Sequence, residues 1–472
     1  MAYTTIDAPT QFFNTIIWSG DSSSPENLTV GFQPDLIWGK LRNIGYAHQL
    51  YDSVRGFGND KDLQPSTNTA EGGGTADQYG YISGTTSTGF TATKGSDGGA
   101  DGYGYWNESG RTYVAWNWLG GGTAPTKTYT VKVVSDSGNK YRFDDFGTSA
   151  VTLDLQEGGT YTFDQSDSSN ATHPLRFYTA ADKSGGEYTT GVTTTGTAGS
   201  SGAKTVITVA ASAPTLYYQC SSHSGMGGQA NTNSTFGSSN FSGSIQSTVS
   251  ANTTAGFSIV SWTGTGSAAT IGHGLSAVPT MIMVKNRDQA DDWYCYNVHN
   301  GNTHSILLNS TGAKVGAYTD NWNNTTPTSS VFSVGGSHAT SGGSSEKMIA
   351  YCFTDIKGYS KLGSYVGTGS DVFVHTGFNV GWLLIKNASD TNGWLLIDTK
   401  RSPNNPQGKY IYANANSAEG TVTYGEFFSN GFGWKGTSSV AVNQSGNTFI
   451  YYAIAESPFV NSNVYQQTQD RS

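Results

Sequence analysis

Apolar residues in this chain come in short runs separated by stretches of Gly, Ser, Thr, Asn and Asp. Runs rich in Val, Ile, Leu and aromatics, bounded by turn residues, predict strands. No stretch of helical length shows a 3.6-residue period with a cap and a glycine stop, so no long helix is predicted. Three runs read alike: Pro34-Asp35-Leu36-Ile37-Trp38-Gly39-Lys40, Pro279-Thr280-Met281-Ile282-Met283-Val284-Lys285-Asn286 and Gly381-Trp382-Leu383-Leu384-Ile385-Lys386-Asn387. Each is an apolar strand ending in Lys, followed by a polar loop and a second aromatic strand. Each unit also closes on an apolar run: Tyr113–Trp118, Met348–Phe353 and Phe449–Ile454. Lys285 and Lys386 stand 101 residues apart, which sets the unit length. A whole unit repeated argues for presenting a surface several times, whereas an enzyme needs one site. The repeated lysines are expected at solvent edges of their sheets, where charge discourages edge pairing. Contact with an acidic ligand is the other reading.

Between the first two units lies a stretch of different pattern, about 125–246. Gly120-Gly121-Gly122 and Pro125 mark where it begins, and the Ser/Gly/Thr-rich run 242–254 marks its exit. Its strands are predicted near 128–134, 141–143, 151–155, 160–163, 175–177, 205–209 and 216–218. The chain therefore divides into a β-sandwich unit (1–123), an inserted β-domain (124–250) and two further sandwich units (251–357 and 358–472). The expected class is all-β: tandem jelly-roll or lectin-like sandwiches carrying an inserted sandwich.

Composition sharpens this. Charged residues are 12%, about half the usual ~25%. Aromatics are also 12%, with 11 Trp, 27 Tyr and 21 Phe, which separates the chain from disordered sequences. The net charge of −9 and the lack of a Lys/Arg run argue against nucleic acid as partner. No window is long and apolar enough to span a membrane, so no membrane insertion is expected. The N-terminus has no basic and apolar leader, so a cytoplasmic origin without signal-directed export is expected. The cysteines, Cys220, Cys295 and Cys352, are odd in number and far apart, so they form no disulfide framework. Cys295 and Cys352 have apolar counterparts in the third unit, Leu396 and Ala453, and read as core thiols.

One constellation looks like chemistry. The inserted domain ends a strand with Tyr217-Tyr218-Gln219-Cys220-Ser221-Ser222-His223-Ser224-Gly225-Met226, and upstream stands His173 in Asn170-Ala171-Thr172-His173-Pro174-Leu175-Arg176-Phe177. One thiolate, two imidazoles and a thioether are the donor set of a blue-copper centre. The Cys-x-x-His-x-x-Met loop and the strand Gly158–Phe163 leading toward His173 resemble the cupredoxin family. The resemblance implies His173, Cys220 and His223 as equatorial ligands, Met226 as the axial one, and copper as the cofactor. Zinc suits the same Cys and His ligands. A sandwich that keeps these residues only as buried packing groups is the bland alternative.

Other candidates are weaker. Asp144-Asp145 and Asp291-Asp292 are acidic pairs of the kind surface loops carry, and a glycosidase dyad needs a spatial separation that sequence does not give. His273, His299, His304, His338 and His375 are scattered without metal spacing. The Gly-rich runs lack the Lys-Ser/Thr of a phosphate loop.

The opening Met1–Asp7, the segment Tyr51-Asp52-Ser53-Val54-Arg55-Gly56, the closure Tyr113–Trp118 and the run Tyr129–Tyr141 together resemble tail-fibre or tail-appendage structural proteins of marine tailed bacteriophages. That resemblance implies a non-enzymatic virion protein, made in the host cytoplasm and released by lysis. It implies a homo-oligomer, with a trimer favoured, joined to other virion proteins and displaying β-domains toward the host. Exposed Asn, Thr, Ser, Tyr and Trp suit host-surface glycans. Alternatives are a capsid decoration protein, a polysaccharide-degrading tailspike, a copper redox protein and, disfavoured by the missing leader, a bacterial adhesin.

Overall fold

The computed structural model describes residues 4–232, 236–316 and 319–458. It is 41% strand and 4% helix, as the apolar runs predict. The helices are single turns such as Ala76–Tyr79 and His338–Ser341.

Each unit is a two-layer sandwich built on the same large sheet. The order is opening strand, closing strand, lysine strand, then the strand after the lysine loop. In the first unit these are Phe13–Ser19, Thr112–Trp118, Leu36–Leu41 and Gln49–Asp52. In the second they are Phe257–Thr263, Lys347–Phe353, Met281–Asn286 and Tyr294–Asn297. In the third they are Ser360–Val366, Thr448–Pro458, Phe378–Asn387 and Leu395–Asp398. Register repeats as well: Lys285 faces Ile349, and Lys386 faces Ile450. The second layer is a small sheet on one face: Glu26–Thr29, Gly89–Thr93 and Tyr81–Thr86 in the first unit, Ala269–Gly272 with Val331–Val334 in the second, Val372–His375, Gly431–Trp434 and Gly425–Phe428 in the third.

The lysine strands are buried on both faces, which explains their unbroken apolar character. Successive side chains point to opposite faces. Ile37, Ile282, Val284, Leu383 and Ile385 face their own small sheets. Leu36, Trp38, Met281, Met283, Trp382 and Leu384 face the other way, into one core shared by all three units. Trp118 of the first unit packs edge-on against Trp382 of the third at 5.6 Å, and Phe353 of the second meets Tyr452 of the third at 5.0 Å. The units are thus a ring of three sheets closed around a common apolar centre. Tandem sequence repeats do not reveal this, because an inward face looks the same whatever covers it.

The joints of the ring recur in cyclic order. Trp293 Nε1 of the second unit donates to Gln64 O of the first at 3.0 Å, and Trp394 Nε1 of the third donates to Leu307 O of the second at 2.9 Å. His48 holds the corresponding place in the first unit, its Nε2 3.0 Å from Tyr412 O of the third. Backbone bonds run the opposite way round: Glu71 N to Arg287 O, Lys314 N to Ala388 O and Glu419 N to Arg42 O.

Two expectations are corrected. Lys40, Lys285 and Lys386 are 1%, 0% and 0% exposed rather than at solvent edges. They share parity with the inward residues, so they point to the ring interior and close one end of it. Their ammoniums donate to carbonyls: Lys40 to Leu41 O at 2.7 Å, Lys285 to Asn286 O at 2.7 Å, Lys386 to Thr311 O of the neighbouring unit at 2.9 Å. Burial lowers Lys40 to about 7 and Lys285 and Lys386 each to about 8. The 242–254 run is also not a plain exit linker. Ser247–Asn252 pairs with Phe257–Thr263 and extends the second unit's sheet, with Ser238–Asn240 beyond it. Its Ser and Thr residues hide a strand whose Ser247, Val249 and Ser250 are buried.

The insert is a sandwich with its own core. One sheet is Leu153–Asp154, Gln229–Asn231, Leu216–Cys220 and Leu175–Tyr178; the other contains Val192–Thr195, Lys204–Thr208, Thr160–Asp164, Thr126–Ser135 and Asn139–Phe143. Asp35 anchors its root, accepting from Gly120 N at 2.7 Å and Gly122 N at 3.3 Å. Cys295 and Cys352 lie buried in the ring.

Candidate metal centre

The insert's pairing brings the sequence-distant ligand candidates together. Leu175 faces Cys220 across two antiparallel strands, and Ser221 N donates to Pro174 O. His173, two residues before Leu175, therefore lands beside Cys220, and the turn after Cys220 folds His223 back over the same spot. Cys220 Sγ lies 3.8 Å from His173 Nδ1 and 3.5 Å from His223 Nδ1. The imidazole centroids are 4.6 Å apart. All three donor atoms fall within 4.8 Å of one another. Donors sharing one ion at bonds of ~2.0–2.3 Å and tetrahedral or trigonal angles stand roughly 3.3–3.9 Å apart, so the sulfur–nitrogen separations fit. Met226 is 1% exposed and belongs to the same core as Cys220.

Other groups hold the site. Tyr141 Oη donates to His173 O at 2.8 Å, and Gln165 Nε2 donates to the same carbonyl at 3.0 Å. Gln165 Oε1 accepts from Leu175 N, fixing the residue that faces Cys220. Lys183 Nζ donates to Cys220 O at 3.2 Å and Ser221 O at 3.3 Å, while Lys140 bonds Gly225 O on the far side of the loop. Asn139 lies 3.4 Å from His173 Nε2, leaving Nδ1 to face the sulfur. Burial, then the His223 charge beside it, lowers His173 below the usual imidazole range and favours the neutral, metal-binding form. Cys220 is buried and His223 exposed, so the site opens to solvent on the His223 side. The donor set, burial and held backbone suit a thiolate-philic ion, with Cys220 and the imidazoles as its ligands.

The supporting residues escape sequence reasoning. Asn139, Lys140 and Tyr141 sit on a neighbouring strand, and only their alternation on Asn139–Phe143 hints at them. The acidic pairs are spent in ordinary bonds: Asp145 with Lys132, Asp291 with His338 and Asp292 with Asn309. His273 is buried against Thr328 O. Asp52-x-x-Arg55 recurs as Asp398-x-x-Arg401, each an ion pair with fully buried side chains at a ring joint. Tyr351 Oη donates to Asp52 at 2.6 Å, and Trp116 Nε1 donates to Asp398 at 3.0 Å, each from the adjoining unit. Glu71 then bridges to Arg287, and Glu419 to Arg42 at 3.0 Å. The second unit has Asn297 and Asn300 at the corresponding places, and Ala388 replaces the arginine, so its joint with the third unit lacks this network.

Among the described residues, no helix is long and apolar enough to cross a membrane. The chain matches the model of DUF7483, a domain of unknown function, over residues 8–144 and 229–458. The break, 145–228, contains His173, Cys220, His223 and Met226. No curated protein matches the chain. A solved structure, "Crystal structure of Putative membrane anchored protein from Corynebacterium diphtheriae", is 10% identical over 95% of this chain and 87% of that chain, with a TM-score of 0.11.

Proposed function

We propose, for a chain that belongs to the DUF7483 family, a structural role in the virion of a tailed bacteriophage, as part of a tail fibre or surface appendage facing the host. The observation that carries this reading is the closed ring of three like units around one core. Such a ring spends its apolar faces on rigidity and leaves polar loops as its surface, which suits a load-bearing, surface-displaying part. The family match takes in the ring strands of all three units and leaves out residues 145–228 of the insert, which supports placing the proposed role with the ring. Immunogold labelling of purified particles tests it. Label on tail or fibres is expected; label on the capsid makes the protein a decoration protein, and unlabelled particles overturn the virion role.

A second reading concerns the insert: a copper-binding module that His173, Cys220 and His223 would hold, with Met226 as a further candidate ligand. The clustered donor atoms favour it. Copper held by this thiolate and these imidazoles would supply a one-electron couple. Titration of the purified chain with copper(II) is expected to give a thiolate charge-transfer colour that Cys220→Ser abolishes. A colourless, zinc-selective site overturns the copper assignment.

A further inference from the structure

The ring has two unlike ends. The chain passes from the first unit to the insert, and from the second unit to the third, where the lysine strands begin, near Asp35 and between Phe353 and Ser360. The end closed by Lys40, Lys285 and Lys386 carries turns internal to the units. There the opening and closing strands are tied in one pattern three times. Gly20 N donates to Arg111 O and Ser22 N to Asn107 O; Gly264 N to Glu346 O and Gly266 N to Gly342 O; Gly367 N to Asn447 O and Gly369 N to Asn443 O. The bonds are 2.7 to 3.0 Å long. Gly20, Gly264 and Gly367 each lack room for a Cβ against backbone atoms, so the same close approach recurs in each unit. Asp21, Thr265 and Thr368, one per unit, stand exposed in these turns.

We propose that this end is the docking face for a homotrimeric protein, on which one copy of this chain sits coaxially. The proposal rests on the virion reading. A trimer offers one surface three times about an axis. A monomer with a single patch engages one third of it, whereas a ring repeating one turn three times engages all three, and each contact after the first forms at high effective concentration. The turns offer hydroxyls and carbonyls, so the partner's facing surface is rich in N–H donors. The ring's own threefold closure takes the place of a trimer of this chain, since its joints are already filled from within.

The test is copy number and geometry on purified particles. In solution the chain is expected to run as a 49.9 kDa monomer. On particles, quantitative mass spectrometry is expected to give one copy per three copies of a virion component, with the ring on that component's axis in an asymmetric reconstruction. Thr265→Arg and Thr368→Arg, both in exposed turns, are expected to lower occupancy at least tenfold, while Thr194→Arg on the insert leaves it unchanged. A solution trimer, a one-to-one ratio, or full occupancy with both turn variants overturns the docking proposal and leaves the virion role standing. Absence from particles overturns both.

Discussion

His48 shows how much one residue carries. Burial, with the Lys40 charge beside it, holds its imidazole well below the usual range, so the ring is neutral. Trp38 Nε1 donates to Nδ1 at 2.9 Å, which places the proton on Nε2, aimed at Tyr412 O. His48→Ala leaves an indole N–H and a carbonyl unpartnered and is expected to cost about 2–3 kcal/mol in denaturant unfolding. His48→Trp restores the side chain that the other two units use and is expected to recover part of that loss. His338 acts at the surface, between Asp291 at 3.0 Å and Glu346 at 3.0 Å. The Asp291 hydrogen bond, opposed by slight burial and reinforced by Glu346, raises its pKa. A raised folded value means the stabilisation is complete below about pH 6.5 and fades as pH rises through that raised value. Thermal melts of His338→Gln are expected to fall below wild type at acidic pH and to converge with it at alkaline pH. The clustering of His173, Cys220 and His223 was legible at this scale because a thiol and two imidazoles at this spacing form a rare donor set. The residues that hold them were not, because Tyr141, Gln165 and Lys183 are ordinary residues whose role depends on where backbone carbonyls fall.

At the scale of elements, the strands announced themselves where both faces are apolar, as in Met281–Asn286, and hid where small hydroxyl residues fill them, as in Ser247–Asn252. The buried Asp–Arg pairs set the joints apart. Asp398→Ala removes the nearer carboxylate from Arg401, leaving Glu419 at 3.4 Å, and leaves the Trp116 N–H unpartnered; loss of about 3 kcal/mol is expected. The second unit has Asn297 at the matching position, where Asn297→Ala is expected to cost less than half as much. Equal losses in equilibrium unfolding would refute the view that the second–third joint is the uncharged one. The lysines illustrate the opposite error. A Lys closing an apolar strand reads as an edge guard, yet parity with Trp38, Met283 and Leu384 turns it inward, where its ammonium donates hydrogen bonds to neighbouring carbonyls.

For the whole molecule, the shared core predicts one cooperative transition for the three units, because no unit keeps its inward face covered alone. The insert has a separate core and is expected to melt separately. Calorimetry should resolve two transitions, with copper raising only the insert's. Three independent unit transitions would contradict the ring. Sequence by itself determined the all-β class, the three-unit repeat, the position of the insert and the Cys and His residues that cluster in it. Each follows from local pattern: apolar runs, turn residues, spacing and side-chain chemistry. Tertiary structure alone decided that the units close on one another, that the lysines point inward, and that Asp52 and Asp398 serve neighbouring units. The closure and the Asp52 and Asp398 bonds rest on contacts between residues hundreds of positions apart, and the lysines turn inward because the ring closes over their face; the burial of a face records only that it is covered, not by what.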